Sequence, residues 1–469
     1  MLQKAKYIFI VGIKGVAMSN LSVILTQMGH QVTGCDVKDD FITNTVLSQN
    51  KIQVHSGFDF SIVPDGVDLV VYSAAHGGDM NPLVKKAIQK HIKVIPQSKL
   101  LGEIINMFKT SIAVSGCHGK TTTSALLAYS LKRMGKKPSY LVGAPSFHEF
   151  PGGAYDGEDC FIVEADEYGI NPPFDKTPKF LDLNPDNIIC TNIDFDHPDV
   201  YQDIEQTKAA FLRFFNKKKL YLCIDDYNIR ALINENKIEK THFETYGFSK
   251  DADLRIEHAD YNEKGSSFDL IYKNNNLGNY KIALYGEKNV LNCTGAILTL
   301  LNLGCQSGRI RDAIKDFSSV KRRFEQIYYQ HDIYLFDDYA HHPVEINALL
   351  MAVQGRFKAR RIVCIFQPHT YSRTASLKEE FKAVLGKFDI CLLAPIFPSA
   401  REKIIMDTVT SFDLIDESVK EHVMAFHTKK ELIKSLAKLI RRGDVILTVG
   451  AGDIYELKDD IIQIIQKKY

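Results

Sequence analysis

The sequence has no tryptophan, no C-x-x-C pair and no uninterrupted apolar run of about 18 residues. The nine cysteines are scattered from Cys35 to Cys391. That spread argues against a zinc site of standard spacing and against a disulfide framework, and makes a reducing cytoplasm the expected home. Without a long apolar run, no membrane insertion is expected. The early apolar run KYIFIVGI is broken at Lys14, and no small-residue cleavage site follows, so it reads as a first strand rather than a signal peptide. An excess of charge of one sign is also missing. Lys plus Arg number 58 against 57 for Asp plus Glu, a net charge of +1. This excludes a broadly basic nucleic-acid surface and leaves room for a local phosphate site. Internal repeats and low-complexity segments are absent too.

What remains is an ordinary soluble composition, 45% hydrophobic and 25% charged over 469 residues. At roughly 150 residues per domain, that length predicts about three domains. Short apolar runs alternate with helical stretches. KYIFIVG, MSNLSVILTQMG and HQVTGCD read as strand, helix and strand, with DLVVYSA and KVIPQ as further strands. TSIAVSG opens a second unit, continued by CFIVEAD, NIICTNI and KLYLCID. Residues 250–285 shift to shorter alternations with turn-like NNN and KG clusters, read as antiparallel hairpins. NVLNCTGAILTLLNLG then reads as a helix ended by Gly304. A third unit carries IYLFDDYA, RIVCIFQP, ICLLAP and VILTVGAG, each strand ending in a polar or Gly-rich cluster. The expected fold class is α/β in three domains: a Rossmann-like domain over 1–107, a central P-loop ATP-binding domain over 108–320, and a C-terminal Rossmann-like domain over 321–469.

The sharpest motif is SGCHGKTTT, residues 115–123, between an apolar strand and a helix. Its glycines let backbone N–H groups close around phosphate oxygens, and the helix dipole favours the anion. Gly116, Cys117, His118, Gly119, Lys120, Thr121 and Thr122 are the candidate ATP contacts. Lys120 is suited to the β and γ phosphates, and a Thr hydroxyl to Mg²⁺. The match is not strict, because Val114 stands where the first Gly of a P-loop falls. The competing reading is a plain Gly turn with an exposed lysine. A second cluster, GIKGVAMS (12–19), follows the first strand, and Asp36 ends the next one. It fits a nucleotide diphosphate, NAD or a simple tight turn.

VEADE places Glu164 and Asp166, or Glu167, at a strand end. NIDFDHPD places Asp194, Asp196 and His197 at another. Beside a phosphate loop such ends carry the Mg²⁺ carboxylate, while a His suits Mn²⁺ or an outer-sphere role. Each acid read singly is as well explained by a helix cap or a solvated loop. The third unit supplies KRRFE (321–325), DDYAHHP (337–343) and QPHTYSRT (367–374). Arginine suits forked contact with phosphate or carboxylate, and an Asp after a strand suits ribose hydroxyls. His341 and His342 each read most simply as a cap or core-edge histidine.

In this order, GCHGKTTT, EADE, TNI-x-x-DH, G-E-K-N-V-L-N, RRF, DDYAHHP-x-E and QPH-x-x-SRT resemble the Mur ligases, ATP-dependent amide-forming ligases of peptidoglycan assembly. Lys288 stands where that family usually has His. Within the family, GIKGVAMS, QPHTYSRT and the late GAGDI look like the branch that joins L-alanine to UDP-N-acetylmuramate. There Lys14 replaces a usual Gly. The loop EADEYGINPPFDKTPKF instead looks like the branch that joins a preformed L-Ala-γ-D-Glu-diaminopimelate tripeptide to the same sugar nucleotide, which is the alternative. AAFLRFF (209–215) has no lysine, so no carbamylated lysine is assigned.

The resemblance implies ATP and Mg²⁺ (or Mn²⁺) as cofactors, a monomer or homodimer, and these roles. Lys120, Glu164, His197, Arg323, His369 and Arg373 are catalytic. Thr121, Glu164 and His197 hold metal. Asn289, Asn292, Arg323 and Asp338 meet ATP. Gly12, Lys14, Gly15, Val16, Ala17, Asp36, Ser73 and His341 meet substrate. A nicotinamide-dependent oxidoreductase would explain only residues 12–36. A ligase-like binding protein would rest on the changes at Lys14, Cys117 and Lys288.

Overall fold

The computed structural model describes residues 2–318, 320–398, 409–416, 418 and 421–469. The first sheet comprises β1 (Tyr7–Val11), β2 (Gln31–Asp36), β3 (Gln53–Ser56), β4 (Leu69–Tyr72) and β5 (Lys93–Pro96), in the order β3-β2-β1-β4-β5. All its pairings are parallel. Phe9, Val11 and Val70 pack with Leu83 and Val84 of the helix Pro82–Gln89. Strand order reverses direction between β1 and β4, so the crevice for a ligand lies beyond their carboxyl ends.

The second sheet has ten strands: β6 (Thr110–Ser115), β7 (Ser139–Phe147), β8 (Phe150–Ala154), β9 (Cys160–Glu164), β12 (Asn187–Cys190), β13 (Lys219–Cys223), β14 (Phe243–Gly247), β15 (Leu254–Asn262), β16 (Gly265–Tyr272) and β17 (Asn275–Ile282). β10 (Gly169–Asn171) and β11 (Asp175–Pro178) form a separate antiparallel hairpin. β6 lies between β12 and β9, parallel to both. The hairpin reading of 250–285 is realised as the meander β15-β16-β17. Lys273 and Asn274 both take positive φ in its second turn, the conformation of a two-residue I′ hairpin. The helix Glu287–Asn302 ends before Gly304, whose φ of 81° provides the left-handed stop.

β7 and β8 were not foreseen from the sequence. They dock on the first helix, Val16–Gln27, where buried Asn20 donates to the carbonyls of Val142 and Ala144, both at 2.9 Å. Gly153 is needed there, since a Cβ would approach the Asn20 backbone carbonyl oxygen to 2.5 Å. Accordingly, the chain separates into two compact units. One gathers Met1–Ala259, Ser267–Ile282 and Leu291–Phe317; the other gathers Asp260–Ser266, Ala283–Val290 and Ser318–Tyr469.

The third sheet is β18 (Glu325–Gln330), β19 (Ile333–Asp338), β20 (Ile362–Phe366), β21 (Ile390–Leu393), β22 (Val423–Ala425) and β23 (Val445–Val449). Its order is β18-β19-β23-β20-β21-β22, parallel except for the edge strand β18. Both faces are covered by apolar clusters, which is why its central strands read as continuous hydrophobic runs. No helix among the described residues is long and apolar enough to cross a membrane.

Candidate active site

The phosphate loop is shaped by backbone before side chains act. Gly116 (φ 123°) and Gly119 (φ 87°) adopt left-handed conformations. A Cβ on Gly116 would strike Thr191, and one on Gly119 would strike Asn292. The helix Lys120–Arg133 begins with no side-chain cap, so its N-terminal dipole faces the loop.

Lys120 folds into this loop. Its Nζ donates to the Gly116 carbonyl at 2.6 Å and pairs with Glu167 at 2.8 Å. Burial opposes the lysine charge, but the Glu167 and Asp166 carboxylates outweigh it and hold the ammonium above its usual range. Burial likewise opposes ionisation of Glu167, which is 1% exposed. Lys120 and then His197 nevertheless keep its carboxyl below the ordinary range. Asp166, whose side chain is partly exposed, is held low chiefly by Lys179, 2.7 Å away.

Three strand ends converge here. Beyond β9, Glu164 accepts from Thr121 and Ser124 hydroxyls, each at 3.2 Å, and from the Gly143 amide. Beyond β12, Asn192 accepts the His118 amide at 3.0 Å. Glu167, Asp196 and His197 each offer a ligand atom within 4.8 Å of the others. Two carboxylates and an imidazole suit a divalent cation with mixed oxygen and nitrogen ligands. Tyr201 Oη donates to the Glu167 carbonyl at 2.6 Å, and the Tyr168 ring meets His197 edge-on at 4.9 Å. Cys117 is 7% exposed, and its Sγ exchanges hydrogen bonds with the Asp194 backbone at 3.1 and 3.2 Å. Burial pushes this thiol well above its ordinary range, so it bridges the loop as a threonine hydroxyl would and is not an activated thiolate.

The second Gly turn differs. Gly12 takes φ 80°, and a Cβ there would lie 2.9 Å from Ser73 Oγ, which brings the ends of β1 and β4 together. Gly15 caps the helix that Val16 and Ala17 open. Lys14 is buried, and its ammonium donates to the carbonyls of Val37 at 2.8 Å and Asp39 at 2.6 Å. Its charge is therefore directed into the protein, not toward the turn. Asp36 accepts from the Lys14 and Val37 amides, at 2.7 and 2.8 Å, and lies 3.0 Å from His76 Nε2.

In the other unit, Asp338 ends β19. Its two oxygens accept the Phe324 and Ala340 amides, each at 2.7 Å. Burial pushes its carboxyl up to about 6, against the nearby Arg323. Arg323 and His341 both approach Glu345, at 3.9 and 3.3 Å. His341 and His369 rings are 6.1 Å apart, and Arg373 donates to the His369 carbonyl at 2.8 Å. His342 caps the helix Pro343–Arg356 in a capping box with Glu345. The neighbouring Arg322 serves the fold: it is 9% exposed and bonds Asp337 at 3.0 Å and the Gly450 carbonyl at 2.7 Å. Asn289 donates to the Tyr285 carbonyl at 2.8 Å within this unit, whereas Asn292 lies against Gly119 in the first.

Sequence reasoning missed His76, Tyr201 and Asn192. Asn192 and Tyr201 flank the DH motif, and His76 follows β4 at the switch point, so position relative to strand ends was the available signal.

Three family models match the chain: "Mur ligase family, catalytic domain" over 7–109, "Mur ligase middle domain" over 114–300, and "Mur ligase, glutamate ligase domain" over 322–452. The UDP-N-acetylmuramate–L-alanine ligase of Salinibacter ruber is 33% identical over 99% of this chain and 96% of its own length. The crystal structure of the UDP-N-acetylmuramate-alanine ligase of Thermotoga maritima matches with a TM-score of 0.80 at 24% identity, over 99% of this chain and 100% of that one. A murein peptide ligase of Psychrobacter arcticus matches with a TM-score of 0.74 at 21% identity, over 98% of both chains. At those identities the two structures establish the shared fold.

Proposed function

The chain belongs to the Mur ligase family, and from that premise we propose that it joins L-alanine to UDP-N-acetylmuramate at the expense of ATP. The observation that carries this reading is the full-length relation to an L-alanine ligase at 33% identity. The tripeptide alternative is not favoured: its support is the loop after Glu167 and a fold match at 21% identity.

A carboxylate is a poor acyl donor because oxide is a poor leaving group. In the proposed reaction the lactyl carboxylate attacks the γ-phosphorus of ATP in line and ADP leaves. The resulting acyl phosphate is attacked by the neutral amine of L-alanine; the amide forms, and phosphate carries away the former carboxylate oxygen. The protein's part is positioning and charge neutralisation.

Lys120 is assigned to the β and γ phosphates, which would displace its ammonium from Glu167. The loop residues Gly116, Cys117, His118, Gly119, Thr121 and Thr122, with Asn289 and Asn292, are assigned to ATP. The donor set fits Mg²⁺ or Mn²⁺: Thr121 and Glu164 are within hydrogen-bond distance of each other, and Glu167, Asp196 and His197 form a group of their own. When bound, such a cation withdraws charge from phosphate oxygens. Arg323 and Asp338 are assigned to phosphate and ribose, His341, His369 and Arg373 to the amino-acid side, and Gly12, Gly15, Val16 and Ala17 with Asp36 and Ser73 to the sugar nucleotide, while Lys14 braces that turn through the Val37 and Asp39 carbonyls.

The test is phosphate release from ATP with Mg²⁺ and UDP-N-acetylmuramate, comparing L-alanine, glycine, L-serine and the tripeptide. Stimulation by L-alanine, with the matching amide mass, is the expected result. Stimulation by the tripeptide alone would move the assignment to the recycling reaction.

A further inference from the structure

Lys14, the one cation that the sequence places in the first Gly turn, points its ammonium at the carbonyls of Val37 and Asp39. A different side chain borders the turn. His76 lies just beyond β4, and its Cδ2 would be 3.8 Å from a Cβ on Gly12. Its Nε2 is 3.0 Å from Asp36 Oδ1, and its ring packs on Phe58 at 4.8 Å. The segment is held in place by Asn81, whose amide donates to the His76 carbonyl at 3.0 Å. His76 itself takes φ 56° and ψ 33°, a left-handed conformation rare for histidine.

We propose that His76 is a binding residue for the sugar nucleotide, facing its diphosphate at the Gly12 turn and pairing with Asp36 there. The inference rests on the sugar-nucleotide reading of this turn. Asp36 is 2% exposed and would otherwise present a carboxylate to a dianionic diphosphate at the turn. The other groups facing His76 do not take over this task. From the turn, Lys14 is directed at carbonyls. From β2, Cys35 is kept neutral by burial, which pushes its thiol up to about 12. From β3's following segment comes the apolar Phe58 ring. On the histidine's own segment, Asp79 is engaged by the Asn171 amide.

The Nε2 of His76 answers Asp36 while its Cδ2 borders Gly12, so loss of the ring leaves that carboxylate without this partner beside the turn.

The experiment is calorimetric binding of UDP-N-acetylmuramate to the full chain and to two variants. His76→Asn is expected to bind about fivefold more weakly than wild type, a difference of about 1 kcal/mol. His76→Lys, which places a cation beside Asp36, should bind within about twofold of wild type. Both replacements tolerate the backbone, since Lys51, Lys217, Asn236 and Asn274 take positive φ elsewhere in the chain. A His76→Asn variant with wild-type affinity, or a His76→Lys variant as weak as His76→Asn, would overturn the proposal. Absence of binding by wild type would overturn the sugar-nucleotide reading beneath it, which phosphate release with L-alanine tests separately.

Discussion

The chain contains two strand–Gly turn–helix corners, each with a lysine, and they use that lysine in opposite ways. Lys120 stays within its loop because Glu167, carried past the end of the adjacent strand β9, answers it at 2.8 Å. Among the described residues no carboxylate answers Lys14 in this way, and the carbonyls after β2 take its ammonium instead. A lysine in a glycine turn therefore does not by itself keep its charge within that turn. What the neighbouring strand ends bring to the turn decides whether the charge faces a ligand or the protein.

The largest effect that would sharpen this contrast is at Lys120. Lys120→Ala should lower ATP-dependent phosphate release by about a thousandfold, since it removes a charge aimed at the transferring phosphoryl group. Equal losses from Lys120→Ala and Lys14→Ala would break the comparison.

Glu167→Gln comes next, with a fall of roughly tenfold to a hundredfold in kcat. It also changes the acid limb of stability. The Glu167 carboxyl is held below its unfolded value of 4.5, so its stabilisation is complete above that pH and is lost as pH falls below it. Thermal unfolding of Glu167→Gln should therefore depend less on pH below 4.5 than wild type does.

Lys14→Ala should leave kcat unchanged and shift KM for the sugar nucleotide by less than about threefold, while lowering stability by about 1 kcal/mol through lost bonds to Val37 and Asp39. Denaturant melts and initial rates on one preparation separate the two effects. The smallest change is expected at Cys117. Cys117→Thr should retain activity within about twofold, because a hydroxyl can make the same two backbone bonds. Rapid thiol alkylation at neutral pH, with loss of activity, would contradict that.

Much of this was legible from residue order. The P-loop strand and helix, the carboxylates beyond β9 and β12, and the meander before the helix Glu287–Asn302 all follow from apolar runs and the polar clusters that end them. β7 and β8 were not legible, because their glycines and Asn20 make sense only once the first helix lies against them. Nor did RRF show which arginine serves the fold. Arg322 is buried against Asp337, and its neighbour Arg323 reaches Glu345.

By itself the sequence determined strand and helix periodicity, the glycines that permit left-handed turns, and the family-specific order of motifs. These are local properties, fixed by backbone sterics and by the alternation of apolar and polar residues. The direction of each charged side chain was decided by tertiary structure. Lys120, Lys14, Asp36 and His76 lie far from some of their partners along the chain. Which partner each meets depends on which strands the sheets make adjacent, and burial then makes that partner decisive.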